Sequence, residues 1–312
     1  MCSISGICNF EKKPSIQIVE LMTKSLSHRG PDDNGFFQNE NISLGHNRLS
    51  IIDLQNSKQP MKDDKNKNII IFNGEIYNFK ELKSDLKSMG HRFETEGDTE
   101  VILKSYSQWG TECLNKLEGM FVFCIWDDKK KQLFIGRDKF GEKPLFYYFS
   151  KKHGFIFSSE VKSFLQVEEI KKELRLNADS INQYLSLNYL IDNKTFFNEI
   201  KSLNPASYII LNSKNFKNEI LIKKYWFLEE YFKKKTNDSF NQASEKIDFL
   251  LEKSIKQKMF SDVENGVFLS GGVDSSAISL KLKKIDNHIM SAHNILFKEK
   301  NFNESVDAKI IA

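Results

Sequence analysis

Only four cysteines occur among the 312 residues, and no two form a Cys-x-x-Cys pair. That scarcity excludes a disulfide framework and a sulfur-rich metal site, and it leaves reduced thiols as the expectation. Long hydrophobic runs are also missing: none approaches the ~20 residues that a membrane-spanning helix needs. The chain start carries an acid and lysines early and has no apolar signal core, so a cytosolic protein is expected. Charge of one sign is lacking as well. The 46 Lys and Arg are nearly balanced by 42 Asp and Glu, and a net charge of +4 gives no electrostatic reason to expect nucleic acid or an anionic membrane as partner. The short Lys runs at 129–131 and 233–235 read as solvated surface. Neither a repeat nor a low-complexity segment is present.

What is present is a globular composition, 40% apolar with 26 Phe, which excludes a disordered chain. The length suits about two domains at ~150 residues each. Ser3–Cys8, Ile69–Phe72, Met120–Trp126, Gln132–Gly136, Leu145–Phe149 and Phe155–Phe157 are aromatic and β-branched, bounded by Gly, Asn or Asp, and predict strands. Lys80–Met89 and Thr99–Trp109 have helical spacing instead. Strands and helices that do not alternate predict an α+β first domain. A short helix, a helix near Asp179–Tyr189 and strands closing at Tyr208–Leu211 are expected next. The polar, Lys-rich stretch Glu229–Asn241 marks the boundary. Beyond it Ile247, Leu250, Leu251 and Ile255 share a helical face, and a strand at Gly266–Leu269 leads through a Gly-rich loop into a helix from Asp274 to Lys284. That order belongs to a parallel α/β layer.

Two stretches carry chemistry. If Met1 is removed, which the small side chain at position 2 permits, Cys2 gains a free α-amine. With a reference pKa near ~7.7, that amine can take the thiol proton, so one residue supplies nucleophile and base. A tetrahedral intermediate then needs donors for its oxyanion. Asn73-Gly74-Glu75 follows the apolar strand Ile69–Phe72 and offers an amide, an unobstructed N–H and a carboxylate, although Asn-Gly also suits a tight turn. Arg48 can fork onto a substrate carboxylate. Asp98 can hold an ammonium or cap a helix. The second stretch is Ser270-Gly271-Gly272-Val273-Asp274-Ser275-Ser276. Its glycines let backbone N–H groups converge on an anion at a helix start, which favours phosphate or pyrophosphate. It is not a Walker A loop.

Together these stretches resemble the glutamine-hydrolysing asparagine synthetases. The resemblance is carried by Met1-Cys2-Ser3-Ile4-Ser5-Gly6, His28-Arg29-Gly30-Pro31-Asp32-Asp33, His46 to Leu54, Phe72 to Asn78, Gly97-Asp98-Thr99-Glu100, Gly119-Met120-Phe121, Gly136 to Leu145 and Ser270 to Ser276. It implies an N-terminal-nucleophile hydrolase sandwich of αββα layers over about residues 2–212, a linker over 213–239, and the start of an adenine-nucleotide α-hydrolase-like α/β domain over 240–312. Carried over by residue, it implies Cys2 as nucleophile with Asn73 and Gly74 at the oxyanion. Arg48, Ile51, Ile52, Asn73, Glu75 and Asp98 would bind glutamine. ATP, taken as its Mg2+ complex, would contact Leu269, Ser270, Gly271, Gly272, Asp274, Ser275 and Ile295, with no separate metal site. The implied reaction forms asparagine from aspartate, glutamine and ATP, releasing glutamate, AMP and diphosphate.

In that family the synthetase domain continues past the helical run Asn303 to Ala312 and carries a downstream Ser-Gly-Glu-Gly-Ser-Asp-Glu stretch that this chain does not contain. Leu296 also stands where the family commonly has Gly. A piece of a longer protein, one part of a split enzyme, and a decayed copy all fit. So do a homodimer or a partner chain holding the remaining synthetase residues, a stand-alone glutaminase or ammonia-supplying subunit, and an amidotransferase for another carboxylate.

Overall fold

The computed structural model describes every residue except 64, 151, 217–219, 287–290, 300 and 302. The chain divides into two compact units, Met1–Tyr231 and Phe232–Ala312.

The strands of the first unit are β1 (Ser3–Cys8), β2 (Asp33–Gln38), β3 (Ile42–Arg48), β4 (Met61–Asp63), β5 (Asn68–Ile76), β6 (Gly119–Asp127), β7 (Gln132–Arg137), β8 (Phe146–Ser150), β9 (Gly154–Ser158), β10 (Lys201–Ser202), β11 (Ser207–Asn212) and β12 (Leu221–Lys224). They pair into two antiparallel sheets of six, ordered β10-β8-β9-β1-β3-β2 and β12-β11-β7-β6-β5-β4. The helices are α1 (Ile16–Lys24), α2 (Phe79–Ser88), α3 (Asp98–Trp109), α4 (Glu168–Glu173) and α5 (Ala178–Leu187); α6 (Glu229–Phe232) follows β12.

Alternation along the strands builds four layers. In β5, Ile69 and Ile71 join Ile4, Leu44, Val122 and Phe157 between the sheets. Ile70 and Phe72 point the other way, onto Leu82 and Leu86 of α2 and Val101 and Ile102 of α3. On the far side of the first sheet, Ile7 and Ile156 pack against Val19 and Met22 of α1 and Ile170 of α4. Both faces of each sheet are therefore covered, which accounts for the near-continuous apolar runs of β5 and β6. The αββα sandwich of the N-terminal-nucleophile hydrolases is the observed architecture.

Three stretches differ from the sequence-based expectation. β5 continues through Ile76, pairing with β6 as Asn73–Val122, Gly74–Phe121 and Glu75–Met120, so Asn73-Gly74-Glu75 is ladder and not a turn. α1, β2, β3 and β4 were not expected; β3 reads as polar because His46, Asn47 and Arg48 are buried through hydrogen bonds and not through apolar character. The first unit also runs past residue 212, taking in β12, and Tyr225 donates through its hydroxyl to Arg137 O at 2.9 Å.

In the second unit, β13 (Gly266–Phe268) and β14 (Ser291–His293) pair in parallel, and α7 (Phe240–Lys258), α8 (Val273–Ile285) and α9 (Ser305–Ile311) complete it. α7 and α8 are tied by Lys281 Nζ, 2.6 Å from Asp248 Oδ2. Of the expected apolar face of α7, only Ile255 is buried; Ile247 and Leu250 are exposed. No helix among the described residues is long and apolar enough to cross a membrane.

Candidate active site

Cys2 sits one step before β1, in the middle of the first sheet between β3 and β9. Its sulfur lies 3.4 Å from the Leu49 N–H, just past the end of β3. The main chain at the same residue is held from the other side, Arg29 Nε donating to Cys2 O at 3.0 Å while Arg29 Nη1 meets Glu160 at 2.9 Å. Burial raises the thiol pKa, opposed by the Leu49 N–H. A neutral resting thiol that needs a base at hand is the result.

The facing wall is the end of β5. β4 is short and its pairing with β5 stops at Ile70, so from Phe72 onward one edge of β5 is open to side chains. Phe72 N–H donates to Gln59 Oε1 at 2.6 Å, and Ile76 N–H donates to Asp98 Oδ2 at 2.9 Å. Alternate residues of a strand present their N–H groups to the same edge, so Gly74 N–H stands between these two bonds and faces the pocket. No side chain fits at this residue: a Cβ on Gly74 would come within 2.1 Å of Met120 O and 2.7 Å of Phe121 Cα. The squeeze is reciprocal, since a Cβ on Gly119 would lie 2.1 Å from Glu75 O. Asn73 is buried and its Nδ2 has no protein partner. A buried amide donor left open beside a thiol is the inventory an oxyanion requires. Beneath it, His46 Nε2 donates to Phe72 O at 2.9 Å and fastens β5 to the first sheet. Burial pushes the His46 pKa down to about 4, so the ring is neutral.

The third wall is the turn after β3. Arg48 donates from Nη1 to Leu54 O at 3.0 Å, and from Nη2 to Ile52 O at 3.2 Å and Asp53 O at 2.7 Å. Its guanidinium thus holds the turn that presents Ile51 and Ile52. Two carboxyls close the pocket. Glu75 is pushed up to about 8 by burial and by the neighbouring Asp98 charge. Asp98, the first residue of α3, is raised to about 6 by burial, opposed by the bond from Ile76 N–H. Gly97, not Asp98, occupies the cap position of that helix.

One pocket is lined by Cys2, Arg48, Ile51, Ile52, Asn73, Gly74, Glu75 and Asp98 together. It also takes in Leu49, Ser57, Gln59, Thr99, Met120 and Lys143, to which the sequence reading gave no role. Gln59 and Ser57 carry no local signal. Lys143 lies in a motif whose neighbours explain its placement, because Asp138 accepts from the backbone N–H groups of Phe121, Phe140, Glu142 and Lys143, and Arg137 Nε donates to Lys143 O at 2.7 Å.

The loop Ser270–Ser276 belongs to the second unit. Gly271 has φ +85, and a Cβ there would lie 2.5 Å from Asp307 Cβ. Ser270 Oγ and Ser275 Oγ are 2.9 Å apart. The first N–H groups of α8, at Val273, Asp274 and Ser275, have no partner within the helix, as at any helix start. Leu269 and Ile295 follow the ends of the parallel strands, Leu269 N–H donating to His293 O at 2.9 Å and Leu269 O accepting from Asn294 Nδ2 at 2.7 Å. Among the described residues no group of three or more His, Cys, Asp or Glu side chains is placed to hold a metal ion.

The profile of a glutamine amidotransferase domain family matches residues 1–226, and that of an asparagine synthase family matches residues 246–312. Asparagine synthetase [glutamine-hydrolyzing] 3 of Bacillus subtilis is 36% identical over 89% of this chain and 45% of its own length. Putative asparagine synthetase [glutamine-hydrolyzing] 2 of Methanocaldococcus jannaschii is 34% identical over 98% of this chain and 67% of its own. The chain belongs to the glutamine-hydrolysing asparagine synthetase family. It spans about half the length of the curated relatives it matches. Among solved structures, a glutamine phosphoribosylpyrophosphate amidotransferase from B. subtilis, complexed with ADP and GMP, aligns with TM-score 0.54 at 18% identity. That alignment covers 96% of this chain and 67% of the other, and the likeness is one of fold.

Proposed function

We propose that this synthetase-family chain carries the glutamine-hydrolysing half of an ATP-dependent amidation of aspartate to asparagine, together with the loop that receives the ATP pyrophosphate. The observation that carries the reading is the convergence, in one pocket, of the Cys2 thiol with the unpartnered Asn73 Nδ2, the Gly74 N–H, the buried Asp98 carboxyl and the half-buried Glu75 carboxyl.

With Met1 removed, the Cys2 amine takes the thiol proton and the sulfur attacks the side-chain carbonyl carbon of glutamine. The oxyanion accepts from Asn73 Nδ2 and Gly74 N–H. The protonated amine then gives its proton to the leaving nitrogen, ammonia departs, and water hydrolyses the thioester to glutamate. Arg48 meets the α-carboxylate with its positive charge while its hydrogen bonds hold the turn whose main chain at Ile51 and Ile52 completes the clamp. Glu75 and Asp98, with Asn73, receive the α-ammonium. Their raised pKa values support this, since burial disfavours the charged form of both and the Asp98 charge adds to it at Glu75, and a bound cation offsets these effects.

In the second unit the residues present fit an anion. Gly271 in a left-handed conformation, two serine hydroxyls and the free N–H groups of α8 line one turn, so Ser270, Gly271, Gly272, Asp274 and Ser275 receive the pyrophosphate as MgATP, with Leu269 and Ile295 beside the adenosine. ATP activates the aspartate β-carboxylate as an adenylate, which ammonia attacks. Four unbridged thiols support a cytoplasmic site for this chemistry.

The test is glutamate release from glutamine by the purified chain, alongside Cys2→Ala and labelling by a glutamine-like diazo-ketone. Loss of both signals in the variant is expected. Equal turnover in the two proteins would remove Cys2 as nucleophile. Aspartate-dependent diphosphate release from ATP tests the synthetase half.

A further inference from the structure

Two cations reach the first residue of the chain. Arg29 Nη2 lies 3.9 Å and Lys143 Nζ 3.4 Å from Met1 Sδ, so removal of Met1 uncovers both, and Lys143 lines the same pocket as Cys2. They differ in what else they hold: Arg29 is paired with Glu160 and with Cys2 O, whereas no carboxylate among the described residues comes within 4 Å of Lys143 Nζ. Lys143 is nonetheless only 5% exposed. Its backbone is fixed at both ends, the N–H on Asp138 Oδ2 at 3.1 Å and the carbonyl under Arg137 Nε, so the ammonium is delivered into the cysteine pocket by a rigid loop. Burying an unpaired ammonium is unfavourable for folding. Among the pocket's charged groups it is the one that the hydrolytic steps above leave without work.

We propose that Lys143 is a positioning residue for Cys2: its ammonium, uncovered in the shared pocket when Met1 is removed, keeps the amine beside the thiol free of a proton and favours the thiolate. The inference rests on the glutaminase reading and deepens it. A fixed positive charge disfavours a second one nearby and favours an anion, so the same group acts on base and nucleophile in the productive direction. Burial lowers the pKa of Lys143, and burial with the Arg29 and Lys143 charges lowers that of the Met1 amine, whose place the Cys2 amine lies next to. The other charged or titratable groups facing this spot are Glu75 on β5, Asp98 on α3, Arg29 and Asp32 in the loop after α1, and Glu142 and Asp138 in the loop of Lys143 itself. The pocket carboxyls Glu75 and Asp98 act in the opposite sense, which makes a cation at position 143 the counterweight.

The test compares Lys143→Met and Lys143→Arg with the unaltered chain through two pH profiles: carbamidomethylation of Cys2 by iodoacetamide, read by peptide mass, and kcat/KM for glutamine. Lys143→Met moves both acid limbs upward by half a pH unit or more, and Lys143→Arg restores them. Unmoved limbs in Lys143→Met, or an Arg variant displaced as far as the Met variant, overturn the proposal. If Lys143→Met does not fold, Lys143→Gln is read in the same way. A chain that hydrolyses no glutamine refutes the glutaminase reading, while the iodoacetamide profile still decides the role of Lys143.

Discussion

Glu75→Gln isolates the electrostatics of the pocket. In the fold, the carboxyl of Glu75 is raised from an ordinary 4.5 to about 8 by burial and by Asp98. The folded state therefore holds its proton through a pH range in which the unfolded chain has released it. Below pH 4.5 the group is protonated in both states and has no effect. Between 4.5 and 8 stability falls as pH rises, and above 8 the loss is complete. At about 1.4 kcal/mol per pH unit the span corresponds to at most about 5 kcal/mol, which solvent reaching the half-buried carboxyl reduces to about 2–3 kcal/mol. Removing the ionisable group removes this penalty. Thermal melting from pH 4.5 to 9 is expected to show equal Tm values for the two proteins at the acid end and a gap of roughly 5–10 °C in favour of Glu75→Gln at pH 8.5, from a few °C per kcal/mol. Glutamine should close the gap, because its ammonium stabilises the ionised pair only in the unaltered protein. Melting curves that keep a constant separation across the pH range would refute the argument.

Two further outcomes follow from the geometry. His46→Leu leaves Phe72 O without its donor in the interior, at a cost of about 1–3 kcal/mol, and loosens the strand that carries Asn73. A lower Tm and a reduced kcat with little change in KM are expected, and an unchanged kcat would show that the bond does not position the amide. Gly271→Ala meets both a left-handed φ and a contact 2.5 Å from Asp307 Cβ. Protection of the second unit by MgATP in limited proteolysis should be lost in that variant, and retained protection would free the loop from a role in binding phosphate.

Much of the Cys2 pocket was legible in the sequence because its residues are of types whose chemistry is distinctive: a cysteine at the second position, an Asn-Gly after an apolar run, carboxylates and an arginine. Their setting was less legible. The run of apolar residues ends at Phe72, and strand signals weaken there, yet β5 continues because its polar end lines a pocket instead of a core. β3 was hidden for a related reason. Asn47 is buried by bonding to Ser3 Oγ at 3.0 Å and Thr23 O at 2.7 Å, partners that sequence distance conceals. Lys143 had a legible neighbourhood but no legible task, since the pocket it enters is formed by residues distant in sequence. In the second unit the strand–loop–helix order was read correctly, and the apolar helical face Ile247 to Ile255 is present but largely exposed.

The mutual closeness of Gly74 and Gly119 gives the two sides of the pocket unequal capacity to change. Backbone presses on backbone along β5 and β6, so no substitution there can reshape the cavity without parting the ladder. The opposite side is a turn held by the Arg48 guanidinium and by the Asp53 carboxylate, which accepts from Glu96 N–H at 2.9 Å, so its other side chains can vary as long as those bonds are kept. Laboratory evolution toward a different nitrogen donor should therefore accumulate its changes between residues 50 and 57 and leave the glycine pair untouched.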